Sequence, residues 1–155
     1  MSKLCSEDSI RRCYQKLEES DALSQINNHL DFCYRPLLNE DWILDVDTTI
    51  KCLYGKQEGS VIGYNPRKLG RPSHTYHTYM IANLRIILGV AVLPGNQNHT
   101  IHTLPCLFNF LDKLSKPMHP SFIRGDIGFG TDGIIKECES RNIDYLFKLR
   151  CSKKV

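Results

Sequence analysis

Apolar and polar residues alternate along DWILDVDTTI, residues 41 to 50, and this alternation predicts a β-strand. One face of the strand would carry Leu44 and Val46 toward a core, and the opposite face would carry Asp45 and Asp47. A carboxylate is costly to bury unless it is paired, protonated or bound to a metal. Two acids on one face of an otherwise apolar strand therefore point to a functional site.

The rest of the pattern predicts an α/β protein in which strands alternate with helices, with parallel crossovers. Residues 1 to 40 have helical spacing, with Ser6 as the first cap. Residues 55 to 75 hold four glycines and two prolines, which predicts an irregular segment. The remaining predicted elements are two strands over 78–95 with a turn near Asn83 or Gly89, a helix over 103–115, a strand over 121–130, a helix over 131–141 and a strand over 143–150.

Composition narrows the class of protein. The chain has 155 residues, of which 41% are hydrophobic and 24% charged, as expected for one globular domain. No apolar run reaches the roughly 20 residues of a membrane span, and no apolar segment of a signal peptide is present. Seven cysteines without a CxxC pair predict reduced thiols and a cytoplasmic protein. Cys52 or Cys106 with a histidine would be the pieces of a thiol hydrolase, but nothing in the sequence brings them together.

Positive charge is concentrated in one segment. Residues 51 to 85 contain six cations against Glu58 alone, a net charge of +5 within a chain of +3. A basic segment that follows an acidic strand predicts a polyanionic partner near a metal site. The alternative is an ordinary solvated loop. The cations of this segment are Lys51, Lys56, Arg67, Lys68, Arg71 and Arg85.

A second acid stands in a similar setting in FIRGDIGFG, residues 122 to 130. Asp126 would share a strand face with Arg124, and Gly125 would permit close approach of another backbone or a ligand. Two strand-borne aspartates could hold Mg²⁺, which accepts one or two carboxylates plus waters and phosphate oxygens. In the structural alternative Asp47 caps a strand end and Asp126 pairs with a neighbour such as Arg124.

Two histidine pairs offer further candidate chemistry. His74 and His77 stand three residues apart, as do His99 and His102. Histidines at that spacing can bind zinc, but no CxxC accompanies them. His74 and His77 would more readily face a DNA phosphate or pack beside the acidic site.

Four segments, DVDTTIK, GYNP…GRPSH, LPGNQ and RGDIGFG, occur in this order. With the sequence between them they resemble the DDE transposases of bacterial insertion sequences, in the group whose DDE domain is interrupted by a β-rich insertion. The resemblance covers most of residues 41 to 150. It implies an RNase H-like mixed sheet with flanking helices, incomplete at the C-terminus, and cleavage and joining of DNA ends with Mg²⁺ or Mn²⁺.

The resemblance also assigns roles to individual acids. Its first catalytic and metal-binding acid corresponds to Asp47 and its second to Asp126, while Asp45 is expected to be a structural or supporting acid. The third catalytic residue of the family is a glutamate on a late helix, and Glu137 and Glu139 come too early for that role. The chain is therefore expected to be a truncated transposase that is inactive alone.

The expected organisation is a helical remnant over 1–40 and a partial catalytic domain over 41–155. The expected partner is double-stranded DNA at transposon ends, with a homodimer in the full-length protein and no membrane. The alternative function is a catalytically inactive remnant that binds DNA or a full-length transposase. The expected DNA contacts are Lys56, Arg67, Lys68, Arg71, His74 and His77.

Overall fold

The computed structural model describes residues 5–63, 65, 68–96 and 99–151. Its helices are α1 (Glu7–Tyr14), α2 (Glu19–Tyr34), α3 (His99–Leu111) and α4 (Asp132–Ser140). Its strands are β1 (Ile43–Cys52), β2 (Val61–Ile62), β3 (Pro72–Ile81), β4 (Ile86–Pro94), β5 (Phe122–Gly125) and β6 (Asp144–Phe147). Short 3-10 helices span Arg35–Asn39 and Lys116–Met118.

The sheet is mixed and is organised around β1. On one side β1 pairs antiparallel with β3, which pairs antiparallel with β4, while the two-residue β2 also pairs with β3. On the other side β1 pairs parallel with β5, which pairs parallel with β6. Three antiparallel strands followed by two parallel ones, with the first strand central, is the RNase H-like arrangement, and the predicted mixed sheet with flanking helices is confirmed.

The two faces of β1 differ as the sequence pattern predicts. Leu44 and Val46 are buried in the core, whereas Asp47 on the opposite face is exposed. The same core contains Tyr79 of β3, and the helices contribute Leu111 and other apolar side chains to it. The helices therefore cover the apolar face of the sheet. The face that carries Asp47 is more open, and β4 exposes its valines there.

The hairpin between β3 and β4 turns over residues 82–85, so the predicted turn near Asn83 is confirmed and Gly89 lies within β4. The irregular segment ends earlier than predicted, because β3 begins at Pro72 and pairs with the far end of β1. The segment after β4 packs closely against the start of β3. A Cβ added to Gly95 would lie 2.1 Å from the Ser73 hydroxyl, too close for any side chain.

The N-terminal helices agree with the prediction for residues 1 to 40. Ser6 caps α1, because its hydroxyl accepts a hydrogen bond of 3.3 Å from the Ser9 backbone N–H. Helix α2 packs against β4, and its last residue, Tyr34, enters the core. Among the described residues, no helix combines the length and apolar character that crossing a membrane requires.

Candidate active site

Asp47 and Asp126 both come directly after the last two residues that pair β1 with β5. The pairing of β1 with β5 runs from Ile43 opposite Phe122 to Val46 opposite Gly125. The next residue in each of the two segments is an aspartate. Both aspartates are exposed, and both line one cavity of about 410 Å³. Asp45, Thr78, Met80 and Arg124 also line this cavity. The sheet thus brings together two acids that are far apart in sequence.

The Asp47 carboxylate is oriented by its own strand. Thr49, two residues on and therefore on the same face, donates a hydrogen bond of 2.9 Å from its hydroxyl to Asp47 Oδ2. Across the antiparallel pair, the Thr78 hydroxyl donates to the Asp47 backbone carbonyl at 3.4 Å. Among the described residues, no hydrogen bond reaches Asp47 Oδ1. One carboxylate oxygen is held and the other can accept a ligand.

The Asp126 carboxylate is oriented by a turn. β5 ends at Gly125, and the Gly128 backbone N–H donates a hydrogen bond of 2.9 Å to Asp126 Oδ1. The Phe129 backbone N–H donates a hydrogen bond of 3.1 Å to the Asp126 backbone carbonyl, which closes the turn. The predicted strand over 121–130 extends too far, because β5 ends at Gly125 and Asp126 is exposed in the turn that follows.

Glycine at position 125 is required by packing. A Cβ there would lie 2.9 Å from side-chain atoms of both Phe129 and Val46, inside the distance that carbon atoms normally keep. The turn that carries Asp126 can therefore fold tightly against β1. This is the close approach of another segment that the sequence predicts at Gly125.

The third acid of the cavity is neutralised by an arginine. Arg124 donates two hydrogen bonds of 2.6 Å to the Asp45 carboxylate, one from Nε and one from Nη2. The hydrogen bond from Asp45 is the main cause that raises the pKa of Arg124, followed by the charge of that carboxylate. Arg124 therefore pairs with Asp45 rather than with Asp126.

The donor set fits a hard divalent cation. Two exposed carboxylates, each with one oxygen held by a hydrogen bond, leave oxygen ligands facing a space that can hold water. Mg²⁺ is bound in this way, by one or two carboxylates with waters completing an octahedron. Within the described part of the chain, no group of three or more His, Cys, Asp or Glu residues is arranged to hold a metal.

The predicted cationic contacts that the structure describes follow the far end of β1 or precede β3. Lys68 Nζ lies 4.7 Å and Arg71 Cζ 4.8 Å from the centroid of the Tyr54 ring, and Lys56 is exposed in the same loop. Arg67 lies outside the described residues. Sequence reasoning missed Tyr54, because a single aromatic residue after a strand belongs to no motif.

The histidines differ in their surroundings. A ring nitrogen of His74, Nε2, lies 3.0 Å from the Glu58 carbonyl. His77 is only 2% exposed, and its Nδ1 lies 3.3 Å from the Thr48 hydroxyl. Residues three apart on a strand face opposite ways, so His74 and His77 cannot share a zinc ion. The side chains of His99 and His102 lie outside the described part of the structure.

A comparison with protein families shows that the family model described as transposase DDE domain group 1 matches residues 1–155. A comparison with curated proteins finds no match.

Several solved structures are similar to this chain. A piggyBac transposase synaptic complex with hairpin DNA is 18% identical, with a TM-score of 0.48 over 72% of this chain and 24% of its own. The catalytic core domain of BIV integrase is 11% identical, with a TM-score of 0.44 over 72% of this chain and 57% of its own. A Mos1 mariner paired-end complex with Mn is 13% identical, with a TM-score of 0.44 over 84% of this chain and 43% of its own. The chain thus spans less than two thirds of each of these structures.

Proposed function

The chain belongs to the transposase DDE domain group 1 family, and from this premise we propose that it carries two of the carboxylates of a transposase active site that cuts and joins DNA ends. The observation that carries the proposal is the position of Asp47 and Asp126. They follow the last paired residues of two adjacent parallel strands and line one cavity. Their separation of 79 positions along the chain makes this meeting a property of the fold.

Asp47 Oδ1 and Asp126 Oδ2 are the proposed ligands of a divalent cation, Mg²⁺ or Mn²⁺. When bound, such an ion would activate a water or hydroxyl nucleophile and stabilise negative charge on the attacked phosphodiester. The Thr49 hydroxyl fixes the orientation of Asp47, and the Gly128 N–H fixes that of Asp126. These contacts keep the two free oxygens available without rearrangement of the strands.

Asp45 and Arg124 are proposed to position the site rather than to bind metal. Their ion pair joins β1 to β5 two residues before the two catalytic candidates. It also removes one negative charge that would otherwise repel a DNA phosphate. This role agrees with the expectation that Asp45 is a supporting acid.

Double-stranded DNA is the proposed substrate, and the basic segment is its proposed contact. Lys56, Lys68 and Arg71 are exposed and form no ion pair with an acid of the described residues. Cations in that state can neutralise phosphates and release counterions. Arg67 and His74 remain proposed contacts. His77 does not, because a buried ring cannot reach a phosphate.

Residues 1–155 alone are proposed to bind metal weakly and not to cut DNA. Two-metal phosphoryl chemistry needs ligands for both ions, and the third acid of the cavity is committed to Arg124. A non-catalytic DNA-binding role is the second candidate for the isolated chain, and the exposed cations support it. Action at transposon ends and a homodimer of the full-length protein are further proposals that follow from the family alone.

The proposal is tested by titrating the purified chain with Mn²⁺ and measuring free Mn²⁺ by electron paramagnetic resonance. Asp47→Asn and Asp126→Asn should each weaken binding by about tenfold, the effect of losing one charged ligand worth ~1.4 kcal/mol. Asp144→Asn, an exposed acid on β6, is the matched control and should bind as the wild type does. Equal Mn²⁺ affinity in the wild type and both site variants would refute the shared site.

A further inference from the structure

Tyr54 lies against two cations at once. The Lys68 ammonium and the Arg71 guanidinium both lie within 5 Å of the centroid of its ring, and Lys68 also donates a hydrogen bond to the Tyr54 hydroxyl. The cations come from the segment before β3, whereas the ring follows the end of β1. Tyr54 is 68% exposed, so this contact is on the surface and burial in the core does not explain it.

Within the described part of the chain, Lys68 and Arg71 lack the carboxylate partners that other basic residues have. Arg35, Arg124 and Arg141 each bond to an aspartate. Lys68 and Arg71 form no ion pair with the acids of the described residues. Because both lie within 5 Å of one ring, they are less than about 10 Å apart and repel each other. The hydrogen bond from Lys68 to the Tyr54 hydroxyl and the attraction of the Arg71 guanidinium to the ring offset this repulsion.

We propose that Tyr54 is a positioning residue that holds Lys68 and Arg71 together as a clamp for the phosphate backbone of duplex DNA. The inference rests on the proposed function, since it specifies how the basic segment contacts that substrate. Duplex DNA carries one negative charge per ~1.7 Å of its axis, so a pair of cations less than about 10 Å apart meets several phosphates in one short stretch. The ring acts through the cations and makes no base contact.

The position of Tyr54 suits a DNA end that reaches the acidic cavity. Tyr54 follows Asp47 by seven residues, and a strand rises about 3.4 Å per residue, so the two are at most about 24 Å apart. That distance corresponds to about seven base pairs of duplex at a similar rise. A duplex lying along the open face of β1 could therefore meet the clamp and the two carboxylates together.

The test is a double-mutant cycle on the full chain, with binding to a duplex of about 30 base pairs of random sequence followed by fluorescence anisotropy. Tyr54→Leu should weaken binding by about fivefold, whereas Tyr54→Phe, which keeps the ring beside Arg71 but loses the hydroxyl that accepts from Lys68, should weaken it by only about twofold. In the Lys68→Ala/Arg71→Ala background, Tyr54→Leu should have no further effect. Tyr14→Leu, at a half-exposed tyrosine of α1, is the matched control and should bind as the wild type does.

Each contrary outcome has a distinct meaning. If Tyr54→Leu weakens binding equally with and without the two cations, the ring contacts DNA directly and the positioning role is overturned, while the DNA-binding proposal stands. If Tyr54→Phe binds as poorly as Tyr54→Leu, the ring does not hold Arg71, and the inference is again overturned. If the Lys68→Ala/Arg71→Ala variant binds as tightly as the wild type, both the clamp and the proposed DNA surface are wrong.

Discussion

Arg124 donates two hydrogen bonds of 2.6 Å to Asp45, from one parallel strand to the next, two residues before the two exposed aspartates. This pair decides how many negative charges face the cavity. With Arg124 in place, Asp47 and Asp126 are the acids left without a cationic partner among the described residues lining it. The charge of the site can therefore be changed without touching either proposed metal ligand.

Arg124→Leu should raise Mn²⁺ affinity. It removes a positive charge and frees Asp45 as a third carboxylate in the cavity. The added attraction for a divalent cation should raise the Mn²⁺ affinity on the order of tenfold. Titration followed by electron paramagnetic resonance measures it. The Arg124→Leu/Asp45→Asn double variant should return toward the wild-type affinity. An Arg124→Leu variant that binds Mn²⁺ no better than the wild type would show that the pair lies too far from the metal.

Asp47→Asn/Asp126→Asn should bind duplex DNA more tightly than the wild type in EDTA, by about three- to tenfold. Without metal, two uncompensated carboxylates repel a phosphate backbone that lies along the same face. In millimolar Mg²⁺ the advantage should disappear, because the ion neutralises the wild-type site. Fluorescence anisotropy in both buffers measures the difference, with Asp144→Asn as the control. A variant that matches the wild type in EDTA would place the DNA elsewhere.

Gly125→Ala should destabilise the fold and disturb the site together. Its methyl group would meet Phe129 and Val46 at 2.9 Å, and overpacking of this kind costs about 1–3 kcal/mol. Urea unfolding measures the free energy, and Mn²⁺ titration reports on Asp126. Gly55→Ala is the matched control, because nothing lies within 4 Å of a Cβ there. If both variants unfold at the same urea concentration, the tight turn is not needed.

Protonation of the Asp112 carboxylate should be one cause of lower stability in acid. Hydrogen bonds of 3.0 Å from Arg141, which joins the end of α4 to the end of α3, are the main cause that lowers the pKa of this carboxyl below its ordinary value of 3.8. A lowered folded pKa means that the ionised form stabilises the fold. This contribution is complete above the unfolded pKa and is lost as the pH falls through the folded one.

Asp112→Asn tests this acid dependence. Its melting temperature should lie below that of the wild type at pH 6, by at most a few degrees, and the gap should close toward pH 3. Differential scanning calorimetry at several pH values measures it, with Asp144→Asn as the control. A gap that does not change with pH would assign the effect of the substitution to packing.

Periodicity predicted much of the fold because the strands are amphipathic. The alternation around Leu44 correctly assigned the buried and exposed faces of β1, and Ser6 correctly marked the start of α1. The helix placed over 103–115 runs instead from His99 to Leu111, with Pro105 inside it. A proline within an apolar run moves a predicted boundary because it normally begins or breaks a helix.

The details of the site could not be predicted from local pattern. Which acid meets Arg124 depends on the register between β1 and β5, and the sequence of either strand alone does not contain that register. The burial of His77 follows in the same way from the pairing of β3 with β1, since GRPSHTYHTY has no clean apolar alternation. The boundary drawn at residue 40 stays a prediction.

The shared metal site is tested most directly by locating bound Mn²⁺ in the isotopically labelled chain. Mn²⁺ broadens the amide resonances of nearby residues, so substoichiometric ion should first broaden those of residues 45–48 and 125–128. In Asp47→Asn/Asp126→Asn this broadening should be lost, while Asp144→Asn should behave as the wild type. Broadening centred instead on the acids of α4, Glu137 and Glu139, or unchanged in the double variant, would contradict a metal held between Asp47 and Asp126.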